Sequence, residues 1–199
     1  RLVWAPVLGA LLLAVTDQLT GLLNRHAFLP LIRQEIHQAE RNGQHRFSVI
    51  LGDLDHFKRV NDELGHLVGD DCLTAVAALC VAEVQRSGDL LARYGGEEFA
   101  MMVMGEPIHA VKDLAEALRR DFGRLRIDAD SGEEGAFTAS FGVALRQPGE
   151  SLLSVIARAD EALYLSKELG RDRVSCEIDV QVDKLRSVSN AQKRRQYRD

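Results

Sequence analysis

The sequence predicts an α+β fold: a ferredoxin-like βαββαβ core with additional helices and a C-terminal strand. Three observations predict it. From Phe47 onward the hydrophobic periodicity runs strand, helix, strand, strand, helix, strand; a Gly95-Gly96 pair splits two short apolar runs; and 199 residues suit one domain with extensions. Taken in order, Leu2 to Val15 holds only apolar residues, Gly and one Pro. A spanning helix needs about 20 apolar residues, so this run alone is too short. Two readings of residues 1–16 stand: a linker or dimerisation helix, or the end of a membrane helix in a fragment that opens at Arg1 and not at Met.

Phe28, Ile32, Ile36 and Ala39 recur at helical spacing and predict a helix over 25–41. Phe47 to Leu54 is a short apolar, β-branched run, as a central strand would be. Leu73, Val76, Ala77, Cys80 and Val84 share one face of a helix expected over 70–86, which would make Asp70 its N-cap. Strands are expected over 90–93 and 98–104, with Gly95 and Gly96 between them adopting the positive φ that tight hairpin turns require. A helix opens at Pro107, a strand covers 136–144, and Ser151 caps a helix that ends near Gly170. Alternation over 174–182 predicts a half-exposed strand. Lys184 to Asp199 carries six Lys or Arg and reads as a basic polar tail, or as a contact for acidic partners. The expected division is 1–16, one domain over 17–182, and a tail over 183–199.

A net charge of −5 argues against a general nucleic-acid binder. Cys72, Cys80 and Cys176 form no CxxC pair and read as reduced, mostly buried thiols of a cytoplasmic domain. The six His show no zinc spacing, and His66 reads as structural. Met101, Met102 and Met104 read as core.

The chemistry sits in acids and glycines. Asp53 and Asp55, two apart, face one side of a regular strand, and Glu97 and Glu98 follow the Gly-Gly turn of the third core strand. In this topology the first and third strands are neighbours, so Asp53 and Glu97 meet. Hard carboxylate oxygens there suit Mg²⁺, which binds through one or two carboxylates plus substrate phosphates. Gly95 and Gly96 allow a ligand close to the backbone, or simply make the turn. Lys58, Lys167 and Arg171 are cations available to phosphates, or ordinary surface charge.

Several blocks carry a resemblance. They are Asp17-Gln18-Leu19-Thr20-Gly21-Leu22-Leu23-Asn24-Arg25, Asp53 to Asp62 (DLDHFKRVND), Gly65 to Asp70 (GHLVGD) and Arg93-Tyr94-Gly95-Gly96-Glu97-Glu98-Phe99. Ser140 to Ala144 and Ala159 to Arg171 follow in the same order. Together they resemble the GGDEF domain of diguanylate cyclases in its GGEEF form. Asp172 departs from the pattern, which often has Asn after Gly-Arg.

The resemblance implies a nucleotidyltransferase with a nucleotide-cyclase, polymerase-palm-like core, condensing two GTP into cyclic di-GMP with release of two pyrophosphates. It implies two Mg²⁺ (or Mn²⁺) per site on Asp53, the Leu54 carbonyl and Glu97, with Glu98 adding to the metal shell. Glu97 is also the candidate proton acceptor, and Lys58 would stabilise phosphate charge. Phe57 would offer its amide to the phosphates, Gly95 and Gly96 would border the substrate, and Lys167 and Arg171 would hold the terminal phosphates. Asn61 and Asp70 would choose guanine. Arg86 and Asp89 resemble the RxxD site at which cyclic di-GMP inhibits. A homodimer follows, since one site holds one GTP, with a membrane tether upstream as an open alternative that would make this the cytoplasmic part of an inner-membrane protein. A silent module that only binds GTP or cyclic di-GMP is the rival.

Overall fold

The computed structural model describes residues 12–41, 43, 46–84, 88–128, 134–135 and 137–196. After a helical segment at 12–15, the elements are β1 (Leu23–Asn24), α1 (Arg25–Arg41), β2 (Phe47–Leu54), α2 (Phe57–Leu64), α3 (His66–Glu83), β3 (Leu90–Arg93) and β4 (Glu98–Met104). Then come α4 (Ile108–Phe122), β5 (Ile127–Asp128), β6 (Glu134–Gly135), β7 (Ala139–Leu145), α5 (Leu152–Glu168), β8 (Val174–Cys176) and α6 (Glu177–Gln196). The main sheet runs β1-β3-β4-β2-β7-β8. Its four inner strands are antiparallel, as the βαββαβ order requires, while β1 and β8 extend the edges in parallel.

β2 is buried along its whole length, which is why it reads as a continuous apolar run and not as an alternating one. One face (Ile50, Leu54, Phe99, Met101, Phe141) packs on Val76, Ala77 and Cys80 of α3 and Val111 and Leu118 of α4. The other (Val49, Leu51, Ala100, Met102, Ala144) packs on Phe28, Ile32 and Ile36 of α1 and Val155, Ala159 and Leu163 of α5. The stripe expected on α1 is thus buried, as are Met101, Met102 and all three cysteines. Burial pushes the Cys72 thiol up to about 12, so it stays a protonated packing group. Helix α5 crosses β7 very closely. A Cβ on Gly142 would stand 2.1 Å from the Ala159 carbonyl oxygen and 2.2 Å from the Leu163 nitrogen.

Four sequence expectations shift. Helix α2 has only eight residues and one buried side chain, Phe57, so it left no apolar stripe to read. Helix α3 begins at His66, four residues before Asp70, which therefore lies inside the helix and is not its N-cap. Strand β7 starts at Ala139 and not at residue 136, which lies outside the described residues. The alternation over 174–182 resolves into a three-residue strand and then a helix. The Cys176 amide donates to Asp179 Oδ2 at 2.8 Å, a capping-box contact that starts α6. Val174 and Cys176 are buried in the strand, and of the apolar residues that fall in α6, Val180 is buried beside Ala162 and Leu165 of α5, while Ile178 and Val182 are exposed. Helix α6 continues across residue 183, where the basic tail was expected. Among the described residues, no helix is long and apolar enough to cross a membrane.

Candidate active site

Two groups of side chains meet at one end of the sheet. The C-terminal end of β2 lies beside the start of β4, where Leu54 donates its amide to the Glu97 carbonyl at 3.3 Å and Asp53 stands opposite Glu98. Residues opposite each other in an antiparallel pair share a face, and this one looks toward α5. There Lys167 Nζ lies 2.9 Å from Asp53 Oδ1. Burial raises the Asp53 carboxyl above its usual value, ahead of the Lys167 hydrogen bond and charge that oppose it; Asp55 adds to the rise and Arg171 opposes it. Glu98 is exposed over much of its side chain. Its carboxyl is nonetheless raised, first by partial desolvation and then by the Asp53 charge.

On the other side, α2 and α3 wall a cavity of about 540 Å³ with the turn after β3. Phe57, Lys58, Asn61, Asp70, Gly96 and Glu97 line it, together with Asp62, His66, Leu73 and Arg93. Six residues singled out in the sequence thus share one cavity. His66 is exposed at its rim, so the structural role expected for it is not a packing one. Gly69 leaves the space that the Asn61 side chain fills between α2 and α3: a Cβ there would stand 1.9 Å from Asn61 Oδ1 and 3.3 Å from the Phe57 ring. Asn61 is therefore laid against the α3 backbone one residue from Asp70.

The Gly-Gly turn works differently from the expectation. Neither Gly95 nor Gly96 carries a positive φ. The turn closes instead through the Tyr94 amide on the Glu98 carbonyl at 2.7 Å. At Gly95 a Cβ would meet Glu98 Oε2 at 2.3 Å, and at Gly96 it would meet nothing within 4 Å. Gly95 makes room for a neighbouring carboxylate, while Gly96 leaves open space over the cavity.

This arrangement coincides with known proteins. The profile of the family described as "Diguanylate cyclase, GGDEF domain" matches residues 14–173. The chain belongs to the GGDEF family. It is 42% identical over 167 residues to diguanylate cyclase VdcA of Vibrio cholerae, covering 81% of this chain and 46% of that protein. It is 38% identical over 161 residues to diguanylate cyclase DgcP of Pseudomonas aeruginosa, covering 81% of this chain and 24% of that one. The chain thus spans less than half the length of these two relatives. Among solved structures, the GGDEF domain of DgcB from Caulobacter crescentus in complex with c-di-GMP superposes with a TM-score of 0.78 at 40% identity, covering 82% of this chain and 96% of that one.

The GGDEF signature here is held by residues to which the sequence reading assigned no role. Arg93 donates from Nε and Nη2 to the Gly96 carbonyl at 2.9 and 2.7 Å, and from Nη1 to both Asp17 oxygens at 3.1 and 3.2 Å. Burial would raise Asp17, but the Thr20 hydroxyl and amide and Arg93 outweigh it and hold the carboxyl below its usual value. Asn24 accepts from the Ala27 amide at 3.0 Å and donates to the Ala14 and Thr16 carbonyls. Arg25 stacks over the Tyr94 ring at 4.6 Å. The N-terminal motif is therefore a buttress for the signature turn. No spacing in the sequence links Asp17 to Arg93, which are 76 residues apart.

Other expected residues fall elsewhere. Asp55 lies beyond the end of β2, buried, and its oxygens accept from Ser140 Oγ (2.7 Å), Thr138 Oγ1 (2.8 Å) and the Asp172 amide (3.0 Å). It serves the fold, so the paired-carboxylate expectation narrows to Asp53. Arg86 lies outside the described residues, and Asp89 Oδ1 accepts from the Met104 amide at 2.8 Å. Among the described residues no cluster of three or more His, Cys, Asp or Glu forms a ready-made metal cage. The oxygens of Asp53, Glu97, Glu98 and Leu54 are nonetheless hard donors, and the raised Asp53 and Glu98 carboxyls would be relieved by a cation. That donor set fits an ion whose shell is completed by phosphates and water.

Proposed function

We propose that this chain is a diguanylate cyclase that condenses two GTP into cyclic di-GMP and two pyrophosphates. The observation that carries the reading is the convergence of Phe57, Lys58, Asn61, Asp70, Gly96 and Glu97 on one cavity, at the sheet end where Asp53, Glu98 and Lys167 meet. Two divalent ions, Mg²⁺ or Mn²⁺, held by Asp53, Glu97 and the Leu54 carbonyl with Glu98 nearby, would neutralise the triphosphate and polarise its α-phosphate. The chain's own groups do the rest. Asn61 and Asp70 take the guanine edge: a carboxylate accepts from N1–H and the 2-amine together, and adenine lacks that pair. Phe57 presents its amide and Lys58 its ammonium to the phosphates, and Lys58 stabilises charge that grows in the transition state. Lys167 and Arg171 hold the terminal phosphates. Gly96 leaves the space the nucleotide occupies. The 3′-hydroxyl oxygen of one GTP bonds to the α-phosphorus of the other, the bond to pyrophosphate breaks, and the proton passes to Glu97 or to solvent.

Ring closure needs two such attacks in opposite senses, so two copies of the domain face each other as a homodimer. Arg86 and Asp89 bind cyclic di-GMP as feedback. The domain works on the cytoplasmic side, whether or not an upstream segment tethers it to the inner membrane. The test is direct: incubation with GTP and Mg²⁺, followed by chromatography, yields cyclic di-GMP. Tight GTP binding without product would instead establish the silent-module reading.

A further inference from the structure

The loop from α5 to β8 holds three successive positive φ values: 110° at Gly170, 64° at Arg171 and 46° at Asp172. Glycine adopts this region freely and Asp tolerates it, but an Arg persists there only where its surroundings over-determine it. Here the surroundings do so. The Arg171 amide donates to the Ser166 carbonyl at 3.0 Å, and its own carbonyl accepts from Arg173 Nε at 3.1 Å. The Asp172 amide donates to Asp55 Oδ2 at 3.0 Å, and Asp55 is only 4% exposed and tied to β7 through Ser140. The last restraint comes from α4, where Arg119 Nη1 donates to Asp172 Oδ1 at 2.7 Å while its Nε is held by Glu116 at 2.8 Å. Arg119 is thus oriented by its own helix before it reaches the loop.

The product of this bracing is the placement of Arg171, whose charge is felt at Asp53. We propose that the Arg119–Asp172 ion pair is a positioning device. It locks the left-handed Arg171–Asp172 pair and so sets how tightly the terminal phosphates of the nucleotide are held, acting from a helix that lines no part of the cavity. Asp at 172 tolerates the left-handed backbone as Asn does, and adds the charge that Arg119 holds. The inference rests on the cyclase reading of Arg171.

Steady-state kinetics of the full chain with GTP and Mg²⁺ test it. Arg119→Ala is expected to raise KM for GTP about fivefold with kcat within about twofold, and Arg119→Lys to recover part of the loss. In an Arg171→Ala background, Arg119→Ala is expected to change KM no further, because the brace then has nothing to place. An unchanged KM in Arg119→Ala, or the same rise with Arg171 absent, overturns the proposal. If Arg119→Ala melts, Asp172→Asn carries the same comparison, since it removes the charge and keeps the backbone preference. Wild-type protein that makes no cyclic di-GMP counts against the cyclase reading, and the same variants are then compared by calorimetry with a non-hydrolysable GTP analogue.

Discussion

The carboxylate end facing α5 and the cavity walled by α2 and α3 are neighbours built on opposite plans. At the first, Asp53 is held by strand pairing on both sides, opposite Glu98 and Ser140, and its side chain is ion-paired. At the second, Lys58 and Asp70 are exposed on two helices between which Gly69 leaves room for the Asn61 side chain. The contrast teaches where rigidity is placed. On the proposed reading, the carboxylate of Asp53 that would hold ions stands where hydrogen-bonded strands fix its position. The groups on α2 and α3 proposed to meet the nucleotide stay solvated until it arrives, provided the helices beneath them are in position.

The largest expected effect lies at the rigid end. Asp53→Asn or Glu97→Gln should cut turnover by at least about 10²–10³-fold with an unchanged circular dichroism spectrum, and the two losses should not add. Wild-type-like turnover in either variant would remove the metal assignment. The next test attacks the scaffold of that end. Gly142→Ala forces a Cβ onto the α5 backbone and should cost about 1–3 kcal/mol of stability, read as a lower urea midpoint. If stability is kept, the close α5 crossing is not what carries Lys167 to Asp53.

At the soft end the expected effects are smaller and selective. Gly69→Ala should hardly change stability, because the group in its way is the movable tip of Asn61. It should reduce the preference for GTP over ITP, which lacks the 2-amine, by roughly tenfold. Asp70→Ala should weaken GTP binding more than ATP binding; equal weakening would make Asp70 a fold residue. The smallest effect concerns the buttress. Asp17 is held below the ordinary value of 3.8, so the stability it contributes is present above that value and is lost as pH falls through its lowered pKa. The pair with Arg93 is partly exposed, so Asp17→Asn should flatten the acid side of the stability profile by under about 1 kcal/mol. An identical acid limb in both proteins would show that the contact does not stabilise the turn.

Much of the site was legible because its residues lie in short blocks: Asp53 to Asn61 spans the end of β2 and most of α2, and Gly95 to Phe99 spans one turn. What could not be read was how those blocks are held. Arg93 and Asp17 are 76 residues apart, and neither spacing nor periodicity links them. The Gly-Gly pair reads as a positive-φ turn, yet neither glycine has a positive φ, and the close neighbour of Gly95 is the carboxylate of Glu98.

By itself, the sequence determined the order of the βαββαβ core, the apolar stripes of α1 and α3 and which residue types stand at the chemical end of the sheet, since side-chain periodicity and β-branching act over a few residues. Tertiary structure alone decided three things. Residues 177–182 are helix, because Val180 finds Ala162 and Leu165 on α5 and Asp179 caps the Cys176 amide. Asp55 is a clamp on a loop 117 residues away and not a partner for Asp53. Arg171 takes a left-handed backbone that an Arg adopts only when several distant groups hold it, among them Asp55 and Arg119 acting through Asp172. Each depends on contacts between remote segments, which become favourable only once the core has brought those segments together.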